Sequence, residues 1–113
     1  MKICNKTKAT TVSEKTEICT TLWQKASGLM FSEQRDLLFE EAKEKRISLH
    51  MCFVFYPIDI IYLNKEKQVV EIKENFKPFT LYVPKCNAQY VLELKKGAVQ
   101  ASETAITDFL VFE

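Results

Sequence analysis

The sequence predicts a mostly β domain of the α+β class, with a compact, antiparallel, barrel-like sheet of short strands and one or two short helices. Three segments carry this prediction, and each is rich in β-branched and aromatic residues and bounded by turn residues. They are a buried strand over residues 49–56, a hairpin formed by residues 58–63 and 69–74, and a strand over residues 88–94.

The remaining elements are shorter. Thr21 can cap a helix and Gly28 can end it, which predicts a short helix over residues 21–27. In chain order, the other expectations are an edge strand or a loosely held arm over residues 2–12, an edge strand or crossing loop over residues 76–84, a short helix over residues 98–105 and a last strand over residues 109–112. The sequence therefore predicts five or six short strands in all.

Residues 32–46 fit two structures. Leu37, Leu38 and Ala42 lie on one helical stripe, whereas residues 36–40 also suit a short strand. Local propensity favours the helix.

Composition restricts the class of protein. The 113 residues suit one domain over residues 1–113, and 47% apolar with 27% charged residues are typical of an autonomous globular fold. A formal net charge of +1 gives little attraction toward phosphate, which argues against a nucleic-acid partner.

No segment approaches the ~20 apolar residues of a membrane span or resembles a signal peptide, so we expect a cytoplasmic protein with no membrane partner. The four cysteines are widely spaced and should remain thiols there.

Five short motifs occur in an order that resembles the domain of unknown function 192 family. They are Gly28-Leu29-Met30, His50-Met51, Pro57-Ile58-Asp59, Leu92-Glu93-Leu94 followed by Gly97, and a late Asp108. The resemblance covers about residues 19–113. It implies a compact β-rich fold, a strand over residues 37–41 in place of the helix, and no established biochemical activity.

The chain departs from the family pattern at several positions. His50 stands where the family has Trp, Ser32 replaces an Arg, Thr107 replaces a late Gly, and residues 52–54 replace a more polar run. If the polar residues of the family form a ligand site, this member has lost part of it.

Candidate binding residues follow from these motifs. We predict that Met30, His50, Asp59 and Asp108 line one depression, with Glu93 next to it, because the ends of elements are where a rigid scaffold presents binding groups. The alternative is that the same residues cap turns scattered around the barrel. Asp59 and Glu93 each stand between apolar residues, a setting that can raise a carboxyl pKa, although bonds from backbone N–H groups or lysines explain such residues more simply.

Metal and nucleic-acid sites have weaker support. His50 and Cys52 share one strand face, as two metal ligands can, but zinc sites usually show tightly paired ligands, so we predict no metal and no cofactor. Tyr62 and Tyr82 could stack bases beside nearby lysines. Their alternation along buried strands favours a core role.

Function is predicted at the level of class. We expect a binding module for a small molecule or a protein partner. The alternative is a small hydrolase or lyase with a carboxylate and histidine site, formed by Asp59, Glu93 and His50. No nucleophile motif is present, so no catalytic residue is assigned.

Overall fold

The computed structural model describes residues 1–19, 35–50 and 56–113, and only the backbone of residues 49–50. These residues form ten strands and one short helix. In chain order they are β1 (Ile3–Asn5), β2 (Thr10–Ser13), β3 (Thr16–Cys19), β4 (Asp36–Lys45), β5 (Leu49–His50), β6 (Ile58–Leu63), β7 (Val69–Phe76), β8 (Leu81–Tyr82), β9 (Ala88–Lys95), α1 (Ala98–Ala101) and β10 (Leu110–Phe112). The mostly β prediction is confirmed.

The described strands form three sheets. Five strands pair in the order β3-β4-β9-β6-β7, three in the order β10-β1-β2, and β5 pairs with β8. These sheets are not closed into a barrel. The pairing is antiparallel except between β3 and β4, which run parallel, so the antiparallel expectation fails at this edge.

Strand β6 is the centre of the fold. It pairs with β9 on one side and β7 on the other, and all six of its residues are buried. A strand buried on both faces has no polar alternation, which explains its nearly continuous apolar sequence. The predicted hairpin of residues 58–63 and 69–74 is confirmed by β6 and β7.

The five-stranded sheet carries an apolar cluster on each face. On the first, which we call the Glu93 face, the buried residues are Cys19, Leu37, Phe39, Ile58, Ile60, Tyr62, Phe76, Ala88 and Val91. Tyr82 of β8 packs over this face, so the β5-β8 pair lies on that side. The opposite face, which we call the Asp59 face, packs through residues such as Ile61 and Leu94 against α1 and the three-stranded sheet.

Residues 36–45 form a strand. Leu37, Leu38 and Phe39 are buried in succession, because β4 lies between β3 and β9 with apolar layers on both faces. The helical alternative is therefore wrong here, and the strand implied by the family resemblance is confirmed. Tertiary context overrides the local propensity.

The chain ends and connections also differ in detail from the predictions. Residues 2–12 contribute the hairpin of β1 and β2, and β1 also pairs with β10. The helix expected over residues 98–105 spans only Ala98–Ala101. The helix predicted over residues 21–27, and residues 51–55 of the predicted strand, lie outside the described residues. In the part of the chain that the structure describes, no helix is long and apolar enough to cross a bilayer.

Candidate functional site

Asp59 is bound on all sides by backbone groups. Its Oδ1 accepts a hydrogen bond from the N–H of Asn75 at 2.9 Å, and its Oδ2 accepts from Gly97 at 3.0 Å and Val99 at 3.1 Å. The side chain is 1% exposed. Gly97 has a φ of 93°, which lets the chain turn its N–H groups toward this carboxylate. Asp59 therefore joins β6 to the start of α1 and to a bend in β7.

Asp108 has a similar structural environment. Its Oδ2 accepts hydrogen bonds from Asn5 Nδ2 at 2.9 Å, from the Ala105 N–H at 3.0 Å and from Lys8 Nζ at 2.8 Å. Burial alone would raise the pKa of Asp108, but the donors on Lys8, Asn5 and Ala105 outweigh it and hold the pKa below its usual value. The carboxylate thus ties the turn before β10 to β1.

Glu93 differs from both. It lies in the middle of β9, directly opposite Leu37 on β4 and Ile60 on β6, and is 8% exposed. Its Oε2 is buried and has no hydrogen-bond partner among the described residues. Burial raises the pKa of Glu93 to about 7, and no cation or donor among the described residues offsets this effect. Glu93 is thus a buried acid with unused hydrogen-bonding capacity.

Two other polar groups lie near Glu93. Burial raises the pKa of the Cys19 thiol and of the Tyr56 phenol, and the charge of Glu93 raises both further. Arg35 acts in the opposite direction on both, but its Nε is paired with Glu17 Oε2 at 3.1 Å. We call Cys19, Tyr56 and Glu93 the Glu93 cluster.

Sequence reasoning did not identify Cys19 or Tyr56 as neighbours of Glu93. Cys19 comes close only through the parallel pairing of β3 with β4, which places it opposite Phe39. Glu71 was also missed: it accepts hydrogen bonds from the Lys85 and Cys86 N–H groups, both at 2.9 Å, and from the Tyr82 hydroxyl. Nothing in the sequence signals these pairings.

The structure separates the predicted site residues. In the pairing of β6 with β9, Ile60 lies opposite Glu93 and Asp59 lies opposite Leu94. Neighbouring residues of a strand point to opposite faces, so Asp59 and Glu93 project from opposite sides of the sheet. The prediction that they are adjacent in one site is therefore wrong. Asp108 and Asp59 share no hydrogen-bond partner.

The other two candidates are described less fully. His50 belongs to β5, whose backbone lies on the side of the Glu93 face, and its side chain is outside the described atoms. Met30 lies outside the described residues. Whether any of the five residues binds a ligand stays a prediction.

An open groove of about 650 Å³ lies elsewhere. It is lined by Val12, Ser13, Glu14, Lys15, Glu17, Arg35, Asp36, Lys95, Lys96, Gly97, Ala98 and Ala101. None of the five candidate residues lines it. Several of its polar groups bond one another: Asp36 accepts from the Ser13 hydroxyl at 2.6 Å and from the Lys95 N–H at 3.2 Å. Asp36 thus holds β2, β4 and β9 together.

Metal ligation depends on which side chains are grouped, and base stacking depends on which rings are exposed. Within residues 1–19, 35–50 and 56–113, no three His, Cys, Asp or Glu side chains are grouped to hold a metal ion. Cys4, Cys19 and Cys86 carry free thiols, and Cys52 lies outside the described residues. Tyr62 is 0% exposed, so it cannot stack on a base.

Comparison with known proteins assigns the family. Residues 3–112 match the domain of unknown function 192 family, described as an uncharacterized ACR. The chain belongs to this family. The match begins near residue 3 rather than residue 19, so the family domain includes β1 and β2.

Relatives of this family member occur in archaea. A UPF0127 protein of Pyrococcus furiosus is 40% identical over 86 residues, which cover 74% of this chain and 73% of the relative. One of Pyrococcus horikoshii is 31% identical over 109 residues, which cover 94% of each. A crystal structure from Sinorhizobium meliloti, of a protein provisionally described as a transcription regulator, has a TM-score of 0.86 at 22% identity and covers 97% of this chain and 89% of its own. That identity establishes a shared fold alone.

The structure explains the late glycine of the family pattern, which is Thr107 in this chain. Thr107 stands where the family has a Gly, and its φ of 79° lies in the left-handed region. Glycine adopts this conformation without strain, whereas a β-branched residue does not. The family Gly is therefore explained by the turn that leads into Asp108.

Proposed function

We propose that this member of the domain of unknown function 192 family is a cytoplasmic binding module that receives a small molecule at the Glu93 face. The observation that carries the proposal is the buried Oε2 of Glu93, which no described residue satisfies. Met30 and His50 are kept as candidates for the same site. Asp59 and Asp108 are left out, because both oxygens of Asp59 and the Oδ2 of Asp108 are already bonded to the protein.

The physical reason is the free energy of an unpaired polar group. Leaving a buried acceptor or donor without a partner costs about 1–3 kcal/mol, and native proteins pair nearly all such groups. A ligand that supplies the missing partner recovers this free energy. Glu93 stands between Leu37 and Ile60 and is only 8% exposed, so a small molecule suits it better than the flat surface of a protein partner.

The alternative of a small hydrolase or lyase gains no support from the geometry. That reaction requires Asp59, Glu93 and His50 to act on one substrate, but Asp59 points away from Glu93 and accepts three backbone hydrogen bonds. We likewise propose no nucleic-acid partner, because the net charge is +1 and Tyr62 is fully buried.

The test is a thermal-shift screen of metabolites with the full chain and with Glu93→Gln. Glu66→Gln serves as a matched control, since Glu66 is an exposed residue in the β6-β7 turn. We expect at least one compound to raise the midpoint of the full chain and of the control, and to raise that of Glu93→Gln much less. The compound should be recovered chemically unchanged. A screen in which every stabilising compound acts equally on Glu93→Gln would refute the proposed site.

A further inference from the structure

No described residue brings a positive charge to the buried Oε2 of Glu93, and this indicates what the ligand carries. Resting on the proposed function, we infer that the ligand of the Glu93 face has a protonated amine or amidine on an apolar body, and that its N–H group donates to the Oε2 of Glu93. Three features of the face support this inference: no described cation bonds to Glu93, the surrounding side chains are apolar, and the Oε2 of Glu93 has no hydrogen-bond partner among the described residues.

No described cation bonds to the buried Oε2 of Glu93. Lys43 on β4 and Lys95 on β9 are exposed, and two other cations are paired elsewhere. Arg35, just before β4, pairs with Glu17 of β3. On β4, Lys45 Nζ pairs with Glu41 Oε2 at 3.1 Å. None of these described groups donates a hydrogen bond to Glu93, although its oxygen is buried.

At the far side of the same face, polar side chains of β7 and β8 interact with one another. On β7, Lys73 Nζ lies 5.7 Å from the ring centre of Tyr82 on β8, and Glu71 accepts the Tyr82 hydroxyl. The side chain of His50 on β5 lies outside the described atoms. The other titratable neighbours are Cys19 on β3, Tyr56 before β6 and Tyr62 on β6, and they carry no positive charge in any protonation state. Among the described side chains, therefore, none supplies a cation to the Oε2 of Glu93.

The walls beside Glu93 are apolar. Leu37 and Ile60 flank it, and Val91 belongs to the same buried cluster. An ion without an apolar body would lose its hydration there and gain little contact in return, whereas an amine or amidine on a hydrophobic group buries its body against these side chains. Charge-assisted hydrogen bonds are about twice as strong as neutral ones, which favours a cationic donor over an alcohol.

Binding of a cationic ligand should remove the proton from Glu93. In the unliganded protein, burial raises the pKa of Glu93 to about 7, so at pH 6 the carboxyl is mostly neutral. When the cation binds, Glu93 gives its proton to the buffer and the carboxylate accepts the N–H of the ligand, which keeps its own charge. Binding should therefore strengthen as the pH rises through 7.

The experiment uses four probes of similar shape: benzylamine, benzamidine, benzyl alcohol and benzoate. Their affinities for the full chain, Glu93→Gln and Glu66→Gln are measured by calorimetry at pH 6 and pH 8, in buffers of different ionisation enthalpy. At pH 8, we expect benzylamine or benzamidine to bind about tenfold more tightly than benzyl alcohol and benzoate. At pH 6, the same cation should bind about tenfold more weakly than it does at pH 8, and its binding at pH 6 should release about one proton. Glu93→Gln should lose this preference and Glu66→Gln should keep it.

The outcomes separate the inference from the proposed function. If benzyl alcohol or benzoate binds as tightly as the cations in a manner that Glu93→Gln abolishes, the cationic ligand is refuted and the binding site stands. If no probe and no metabolite of the screen binds in a Glu93-dependent manner, both are refuted.

Discussion

Replacing Glu93 by Gln should change how stability depends on pH, independently of any ligand. In the folded chain the pKa of Glu93 is raised from 4.5 to about 7, because its carboxyl is buried without a compensating donor. Between these two values the folded state holds a proton that the unfolded state has released, so the free energy of unfolding falls as the pH rises. The full loss, reached above pH 7, is on the order of 3 kcal/mol.

Glutamine has nearly the same shape as the neutral acid and does not ionise. We expect Glu93→Gln to match the parent chain near pH 4.5 and to be more stable at pH 8, by an amount approaching that loss. Urea unfolding curves at half-unit pH steps measure the difference, with Glu66→Gln as the exposed control. A difference that stays constant from pH 5 to pH 8 would show that Glu93 does not titrate as argued.

Four further changes test the structural account by urea or acid unfolding. Thr107→Gly should raise the free energy of unfolding by about 0.5–1 kcal/mol, because glycine adopts the φ of 79° without strain. The control Thr11→Gly in β2 should lower it, and changes of the same sign in both variants would contradict this account. Asp59→Ala should lose about 3 kcal/mol or more, because three backbone N–H groups lose their acceptor. Ile60→Ala should lose about 2–5 kcal/mol, since Ile60 is fully buried in β6, and a loss below 1 kcal/mol would place it outside the core. Because the pKa of Asp108 is lowered, its contribution is present above about pH 4 and lost below, so Asp108→Asn should flatten the acid decline of stability.

The central fold could be predicted from the sequence because its signals are local. The hairpin of β6 and β7 has apolar runs on both sides of a polar turn, and β9 ends at two lysines and a glycine. The number of short strands was not predicted correctly. Ten strands are described, whereas five or six were expected. Strands β1, β2 and β3 have three or four residues in Thr-rich segments, and their pairing with β10 and β4 depends on contacts between distant parts of the chain.

The residues of the site were predictable only as candidates. Glu93 could be selected because an acid between Leu92 and Leu94 is unusual on a buried strand. Its grouping with Asp59 failed because register decides which face a residue occupies, and register depends on both partner strands. Cys19 joins Glu93 through a parallel pairing between β3 and β4 that the sequence does not signal.

Asp59 and Glu93 show why local sequence cannot separate an acid bonded inside the protein from one proposed to bind a ligand. Each stands between two aliphatic residues on a buried strand, and the two strands are paired neighbours. The difference is what lies above each face. On one side, the turn at Gly97 places two backbone N–H groups within hydrogen-bond distance of Asp59, so its Oδ2 is bonded inside the protein. On the other side, Glu93 meets the described apolar side chains of Leu37 and Ile60 and receives no donor from them, and this unpaired oxygen is what the proposed ligand would bond.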